Sequence, residues 1–365
     1  MSAQVVELEG RKVGDGQPPL IIAEVSANHN GSLERALKII EAAAEAGAHT
    51  VKLQTYTADT ITIDHDGPGF VIKGGLWDGY TLHKLYQEAY TPWEWHKPLF
   101  ERARELGMLP FSTPFDFTAV DFLEDLNCPI YKIASFEAVD LPLIHYVAST
   151  GKPIIMSTGM ANEEEIAEAV EAAREGGCKD LVLLHCVSGY PTPPEDANLR
   201  TIPDMRERFG VPVGLSDHTL GTAVAVAATA LGACVIEKHF TLSRADGGHD
   251  SAFSMEPEEL KRLVEDTRTA FQALGCVNYE RKESEKGNVV FRRSLYAVKD
   301  IAAGEELTPE NVRSIRPGQG LAPKHYDAVL GCRAKVDIAR GTPLSWHDIE
   351  QGDHGKGEST GCVKK

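Results

Sequence analysis

Residues 20–56 read LIIAEVSANHNGSLERALKIIEAAAEAGAHTVKLQTY. A β-branched apolar run from Leu20 to Ala27 gives way to a stretch of helical period, and a second apolar run follows from Thr50 to Tyr56. That order is a strand, a helix and a strand parallel to the first. Six further runs repeat it: Met108–Thr113, Ile130–Ser135, Pro153–Ser157, Leu181–Val187, Pro212–Ser216 and Cys234–Phe240. Helix starts are written between them. Asn162 precedes Glu163, Glu164 and Glu165, favourable at the positive end of a helix dipole, and Thr91-Pro92-Trp93-Glu94 predicts a capping box with proline at the first helical position. Strands this continuously apolar are covered on both faces. Eight strand–helix units predict a (β/α)8 TIM barrel. A doubly wound sheet would place a glycine-rich GxGxxG turn after its first strand, and Asn28-His29-Asn30-Gly31-Ser32 is not one.

Outward from this core the texture changes twice. From Ala58 to Tyr90 the second connection carries glycines and aromatics where helix periodicity is expected. A long insertion at that position shapes a pocket or lid, the structural alternative being a surface Ω-loop. The charged stretch from Glu280 to Gly287 closes the barrel domain (1–279) and opens a linker (280–290). A compact β-rich domain is expected over 291–350, with strands Ser294–Val298 and Arg333–Val336 and a short helix opening at Thr308-Pro309-Glu310-Asn311. A frayed tail is expected over 351–365.

The chain carries 54 acidic and 37 basic residues, a formal charge of −17. Nucleic acid is therefore excluded as a partner, because a phosphate backbone needs a basic footprint. The first residues lack the basic start and apolar stretch of a signal peptide, and no apolar run is long enough to span a membrane, so the expectation is a cytoplasmic protein with no membrane partner. Seven cysteines in no metal-finger spacing read as reduced, mostly buried thiols. Cys186, beside His185 at a strand end, is the only one with any claim to reactivity.

In a TIM barrel the C-terminal strand ends face the active site, and polar residues occupy that position on nearly every run. They include Glu24, Lys52 and Gln54, Thr113, Lys132, Ser135, Glu137, Ser157, Ser188, Tyr190, Ser216 and His218, Glu237 and His239. Residues two apart share a face, which groups Glu24 with Ser26 and Asn28, Lys52 with Gln54, Ser216 with His218, and Glu237 with His239. Two lysines with several hydroxyls and an amide suit a phosphorylated anion. The alternative is that each lysine is a structural residue satisfied by a buried carboxylate. His218 and His239 on adjacent strands can share one metal ion, leaving positions for water and a substrate oxygen; a core histidine without metal is the alternative.

These residues lie in AEVSANHNGS (23–32), VKLQTY (51–56), FSTPFD (111–116), YKIASFE (131–137), STGM (157–160), LHC with YPTP (184–193), GLSDHT (214–219) and EKHFT (237–241). Their order resembles the sialic acid synthase family, which joins phosphoenolpyruvate to an acetamido sugar. The segment SLYAVKDIAAGEELTPENVRSIRPGQGL resembles the antifreeze-like SAF domain that ends those enzymes. The resemblance implies Lys52, Thr113, Lys132, Ser135, Ser157, Ser188 and Ser216 as the phosphoenolpyruvate pocket, and His218 and His239 as ligands of a divalent metal, Mn2+ foremost with Mg2+ or Co2+ as alternatives. It implies Gln54, Tyr190, Asp250 and Arg316 near the sugar, the arginine reaching a partner subunit's barrel in a domain-swapped homodimer. Glu24 and Glu137 are the candidate catalytic carboxylates, Glu137 for the attacking water and Glu24 for positioning.

Two departures narrow the sugar. Sialic acid synthases proper commonly have Asn where this chain has Ser188, and a Gly-Ile-Asn-His-Asn start where this chain has Val25-Ser26-Ala27-Asn28-His29-Asn30. The Ser-Ala-Asn-His-Asn form, with the GGLWDG…TPWEWHKPLFERARELGM segment, is similar to the pseudaminic acid synthase branch. That implies 2,4-diacetamido-2,4,6-trideoxy-L-altrose as co-substrate; by residue type, Trp77 and Tyr80 of the aromatic loop are expected to pack its methyl group. The competing readings are an N-acetylneuraminate or legionaminic acid synthase, a metal-dependent aldolase that would release no phosphate, and a non-catalytic binding scaffold.

Overall fold

The computed structural model describes residues 4–350, and the chain divides into two compact units after Gly275. The first unit opens with an antiparallel hairpin, β1 (Val5–Leu8) and β2 (Arg11–Gly14). Eight parallel strands follow: β3 (Leu20–Glu24), β4 (Thr50–Thr55), β5 (Leu109–Pro114), β6 (Tyr131–Ile133), β7 (Ile154–Ser157), β8 (Leu181–Cys186), β9 (Val213–Ser216) and β10 (Val235–His239). They pair in sequence order, and β10 pairs with β3 to close the barrel. Every predicted run is therefore a strand of one TIM barrel. Closure leaves no unpaired edge and buries both faces, which is why the runs read as continuously apolar.

Particular ends differ from the sequence reading. The first run stops at Glu24, because Ser26 turns to φ 48° and Ser26–His29 forms a 3-10 turn. Period-two alternation is lost beyond that point, so Asn28 leaves the face of Glu24 and donates to Phe240 O at 3.0 Å and Ser254 Oγ at 2.9 Å. The helix expected to be capped by Thr91 begins one residue later, at Trp93, with Pro92 outside it and no side-chain cap. Asn162 does cap Glu163–Glu175, in a reciprocal box with Glu165. The long second connection is more ordered than its composition suggested. It contains helices Ala58–Ile61 and Leu82–Ala89, the latter capped by Thr81, whose backbone bridges Val71.

The second unit holds two antiparallel pairs, β11 (Ser294–Ala297) with β12 (Val312–Ile315) and β13 (Arg333–Ala334) with β14 (Ile349–Glu350), around a core that includes Leu295, Leu307, Val312 and Leu344. Thr308–Asn311 is a turn leading into β12, not a helix. The Asn311 side chain accepts from Thr308 N at 2.7 Å and donates to Glu306 O at 3.0 Å, which folds the segment back on itself. The tail expected at 351–365 lies outside the described residues. Among those residues, Cys128, Cys178, Cys186, Cys234 and Cys332 are buried free thiols and Cys276 is exposed.

Candidate active site

The strand register sets neighbouring strand-end groups side by side. Glu24 pairs with His239 on one side and Lys52 on the other, Gln54 with Thr113, and Glu237 with Ser216. Their side chains form one buried chain of alternating charge. Lys52 Nζ lies 2.6 Å from Glu24 Oε2 and 3.5 Å from Glu237 Oε1, and Lys132 Nζ lies 3.5 Å from that same Glu237 oxygen. Gln54 Nε2 donates to Glu24 Oε1 at 2.9 Å, Lys52 Nζ to Thr113 Oγ1 at 3.4 Å, and Ser216 Oγ to Glu237 Oε1 at 3.5 Å. The lysines have thus found their counter-charges, and Glu237 is the hub. Sequence reasoning placed Glu237 on the inward face but gave it no role. The available signal was the two lysines, since one carboxylate at Glu24 cannot balance both.

Electrostatics separate the members. Burial pushes Glu24 above the usual carboxylate range, against the pull of Lys52. Glu237 is drawn below it because Lys132 and Lys52 together outweigh burial. Burial opposes the charge on Lys52, yet Glu237 and Glu24 hold it above its ordinary value. Lys132 is lowered, since burial prevails there over Glu237 and Lys52 repels it.

Beside this chain, Ser157 Oγ and Ser188 Oγ are buried with no partner. Gly159 N donates to Ser135 Oγ at 3.1 Å, and a Cβ on Gly159 would sit 2.3 Å from Ser188 Oγ and 2.8 Å from Ser135 Oγ. Only glycine lets β6, β7 and β8 bring those hydroxyls together, a feature sequence reading passed over. Glu137, in the 3-10 turn after β6, keeps Oε2 buried and unpartnered. Burial raises its pKa to about 7 although Lys132 and Lys52 pull it down.

The imidazoles of His218 and His239 stand with centroids 5.4 Å apart. Two rings bonded at about 2.1 Å to one ion place their centroids about 5 Å apart, so the pair fits a shared metal. His218 Nδ1 donates to Val187 O at 3.0 Å, which leaves Nε2 as a lone-pair donor. His239 Nδ1 is buried without a partner, as an unfilled ligand atom would be. Among the described residues no cluster of three or more His, Cys, Asp or Glu could hold a metal, so these two histidines need water and substrate oxygens to complete a shell. Behind them, Lys238 and Asp217 form an ion pair at 3.1 Å with both side chains 1% exposed. Asp217 also accepts from Thr219 N at 2.9 Å, and each member of the pair immediately precedes one of the histidines.

Aromatic groups wall the histidines. Tyr190 lies 4.4 Å from His218, Phe253 4.9 Å from His239, and Trp77 of the long insertion 5.9 Å from Tyr190, centroid to centroid. Trp77 Nε1 donates to His249 O at 3.1 Å, joining the loops after β4 and β10. Tyr80 packs edge-on against the ring of the same His249 at 5.8 Å. Asp250 accepts from Ser26 Oγ, and burial raises its pKa to about 6. The barrel thus gathers every predicted site residue of the first unit, whereas Arg316 is exposed just after β12 in the second.

A NeuB family model matches residues 39–279, and a SAF domain model matches 292–350. The pseudaminic acid synthase of Campylobacter jejuni is 49% identical over 330 residues, covering 90% of this chain and 96% of that protein. That of Helicobacter pylori is 47% identical over 339 residues, covering 92% and 99%. The crystal structure of the N-acetylneuraminic acid synthetase of Leptospira borgpetersenii superposes with a TM-score of 0.70 at 33% identity, covering 79% of this chain and 95% of that one. No helix among the described residues is long and apolar enough to cross a membrane. With motifs, barrel and both domain matches in agreement, the chain belongs to the NeuB family and ends in a SAF domain.

Proposed function

We propose that this enzyme condenses phosphoenolpyruvate with the aldehyde carbon of 2,4-diacetamido-2,4,6-trideoxy-L-altrose, giving pseudaminic acid and phosphate, in the cytoplasm. The observation that carries the chemistry is the buried Glu24–Lys52–Glu237–Lys132 chain beside buried hydroxyls at Ser157 and Ser188 that have no hydrogen-bond partner. The names of the two bacterial relatives carry the choice of sugar.

In this reading Lys132, Lys52, Thr113, Ser135, Ser157, Ser188 and Ser216 hold phosphoenolpyruvate by charge and hydrogen bonds. Gln54, Tyr190 and Asp250 face the sugar, and Arg316 supplies a further contact across a domain-swapped homodimer. His218 and His239 hold the divalent ion, Mn2+ foremost, with Mg2+ or Co2+ able to replace it. When bound, the ion supplies Lewis-acid polarisation of the aldehyde. The enol carbon of phosphoenolpyruvate forms the new carbon–carbon bond, and its carbon 2 takes on oxocarbenium character. Water adds there and Glu137 takes one of its protons, a proton returns to the former aldehyde oxygen, which ends as a hydroxyl, and the tetrahedral intermediate loses phosphate by carbon–oxygen cleavage as its hydroxyl proton leaves with the phosphate. A carboxyl raised to about 7 is suited to that proton transfer near neutral pH. Glu24, engaged at both oxygens by Lys52 and Gln54, acts as the strut that positions Lys52.

Mass spectrometry after incubation with phosphoenolpyruvate and the diacetamido sugar tests the whole reading. A nine-carbon product with stoichiometric phosphate supports it. Faster phosphate release with N-acetylmannosamine or the legionaminic precursor would move the assignment to a sister enzyme, and product without phosphate would make it an aldolase.

A further inference from the structure

At the end of the barrel where β3 and β4 begin, remote in register from Glu24 and Lys52, a cavity of about 170 Å3 is lined by Arg11, His49 and Arg268 with Pro18, Pro19 and Ile21. Arg11 opens β2 of the hairpin, His49 precedes β4, and Arg268 lies on the helix Pro257–Leu274. His49 Nδ1 accepts from Ile21 N at 2.9 Å, so the neutral ring carries its proton on Nε2 as a donor. Burial holds that ring uncharged, near about 4, and Arg11 and Arg268 both press it further down. The two guanidinium groups therefore act on one imidazole.

Neither guanidinium has an ion pair or hydrogen bond among the described residues, and burial lowers Arg11 with no carboxylate offsetting it. Elsewhere in the same unit Arg35, Arg102, Arg206 and Arg244 each have an acidic partner, and Arg104 and Arg174 donate to backbone carbonyls. Converging donors with no acceptor define a receptor for an oxyanion. The cavity has about the volume of five or six waters, enough for a phosphate and a short substituent.

We propose that this cavity is a second anion site, which binds inorganic phosphate or the phosphate of a small monoester. Occupancy ties the N-terminal hairpin to the starts of β3 and β4 and to the helix bearing Arg268. The active site holds none of these groups, so the inference stands apart from the proposed reaction.

Hydrogen exchange of the intact enzyme reads the site locally, because the hairpin lies at one end of the barrel and the catalytic residues at the other. Inorganic phosphate, compared with chloride at equal ionic strength, should slow exchange at residues 5–14 by about threefold or more. Arg268→Gln, at an exposed position, should shift the phosphate midpoint at least tenfold, and Arg11→Gln/Arg268→Gln should abolish the effect while turnover without added phosphate stays unchanged. Glycerol phosphate acting at lower concentration than inorganic phosphate identifies the ligand as an ester, and the reverse identifies the free ion. Hairpin exchange indifferent to both anions in the wild type, or equally slowed in the double variant, overturns the proposal.

Discussion

Gly159→Ala tests whether the three serines form one phosphoenolpyruvate pocket. The new methyl group would lie 2.3 Å from Ser188 Oγ and 2.8 Å from Ser135 Oγ, the first more than an ångström inside ordinary contact. Both obstacles are ends of short side chains, so the hydroxyls rotate away and the backbone stays. Gly159 has ordinary negative φ, so no conformational strain is added. The cost falls on the ligand: a hydroxyl bond to an ionised phosphate contributes about 1.5–3 kcal/mol, and losing one raises the phosphoenolpyruvate KM by about 10- to 150-fold, losing both by about 100- to 20,000-fold. Phosphate-release kinetics with each substrate varied in turn give the result. The sugar KM should move less than threefold, and Tm should fall by no more than about 4 °C. In a double-mutant cycle, Ser188→Ala should cost far less in the Gly159→Ala background than alone, because its hydroxyl has already left the pocket. A phosphoenolpyruvate KM within threefold of wild type, or additive effects of the two substitutions, would refute the shared pocket.

For Glu137, whose carboxyl sits near pH 7, kcat should rise with pH through about 7 as the base form appears, and Glu137→Gln should lose about 10²- to 10⁴-fold with that limb gone; an unchanged profile removes it as the base. The same raised pKa has a stability consequence of fixed sign: the neutral carboxyl's favourable burial is complete below about 4.5 and lost as pH climbs through about 7, so Glu137→Gln should be more stable than wild type at pH 8, by up to about 3 kcal/mol, and equal to it at pH 4. His239→Ala should abolish metal-dependent turnover while lowering Tm by only a few degrees, and full activity of that variant in chelator would disprove the metal assignment. Asp217→Asn loosens the ion pair behind both histidines without touching either, so Mn2+ affinity measured directly should fall about tenfold or more; unchanged metal affinity with lowered Tm would make the pair structural alone.

The barrel was legible because parallel strands covered on both faces write continuous apolar runs, and eight such runs without a GxGxxG turn favour closure over a doubly wound sheet. Strand ends were less so. Val25-Ser26-Ala27 continues the apolar run in composition, but a tertiary bond from Ser26 to Asp250, 224 residues away, bends it out of strand geometry. The hairpin Val5–Gly14 sets buried Val6, Leu8 and Val13 on either side of a Glu9-Gly10 turn, a pattern too short to stand out beside the barrel runs. Helix Leu82–Ala89 hid inside an insertion whose glycines dominated its composition. Within the site, residue types and two-residue spacing identified who faces inward. Glu237 and Gly159 needed distances, because one acts as a counter-charge to groups on two other strands and the other by the absence of a side chain.

An anion pocket containing two buried glutamates looks self-defeating until the lysines are compared. Lys52 is clamped at 2.6 Å by Glu24, shares Glu237 at 3.5 Å and is raised in pKa, so its charge is satisfied before any ligand arrives. Lys132 has one contact, 3.5 Å from the same Glu237 oxygen, and burial drives its pKa down. In the proposed reaction phosphoenolpyruvate would therefore gain most from Lys132, the lysine whose charge is least compensated, while Glu24 and Glu237 hold Lys52 in its charged form. The two lysines should then separate experimentally. Lys132→Met removes an under-satisfied charge, so it should cost phosphoenolpyruvate affinity at least a hundredfold with little loss of Tm. Lys52→Met strands Glu24 and Glu237 as buried carboxylates without their shared partner, and such breakage costs about 3–5 kcal/mol, which should appear as a marked fall in Tm. Equal losses of stability from the two variants would mean that the ion chain is a uniform structural network and that neither lysine is reserved for the ligand.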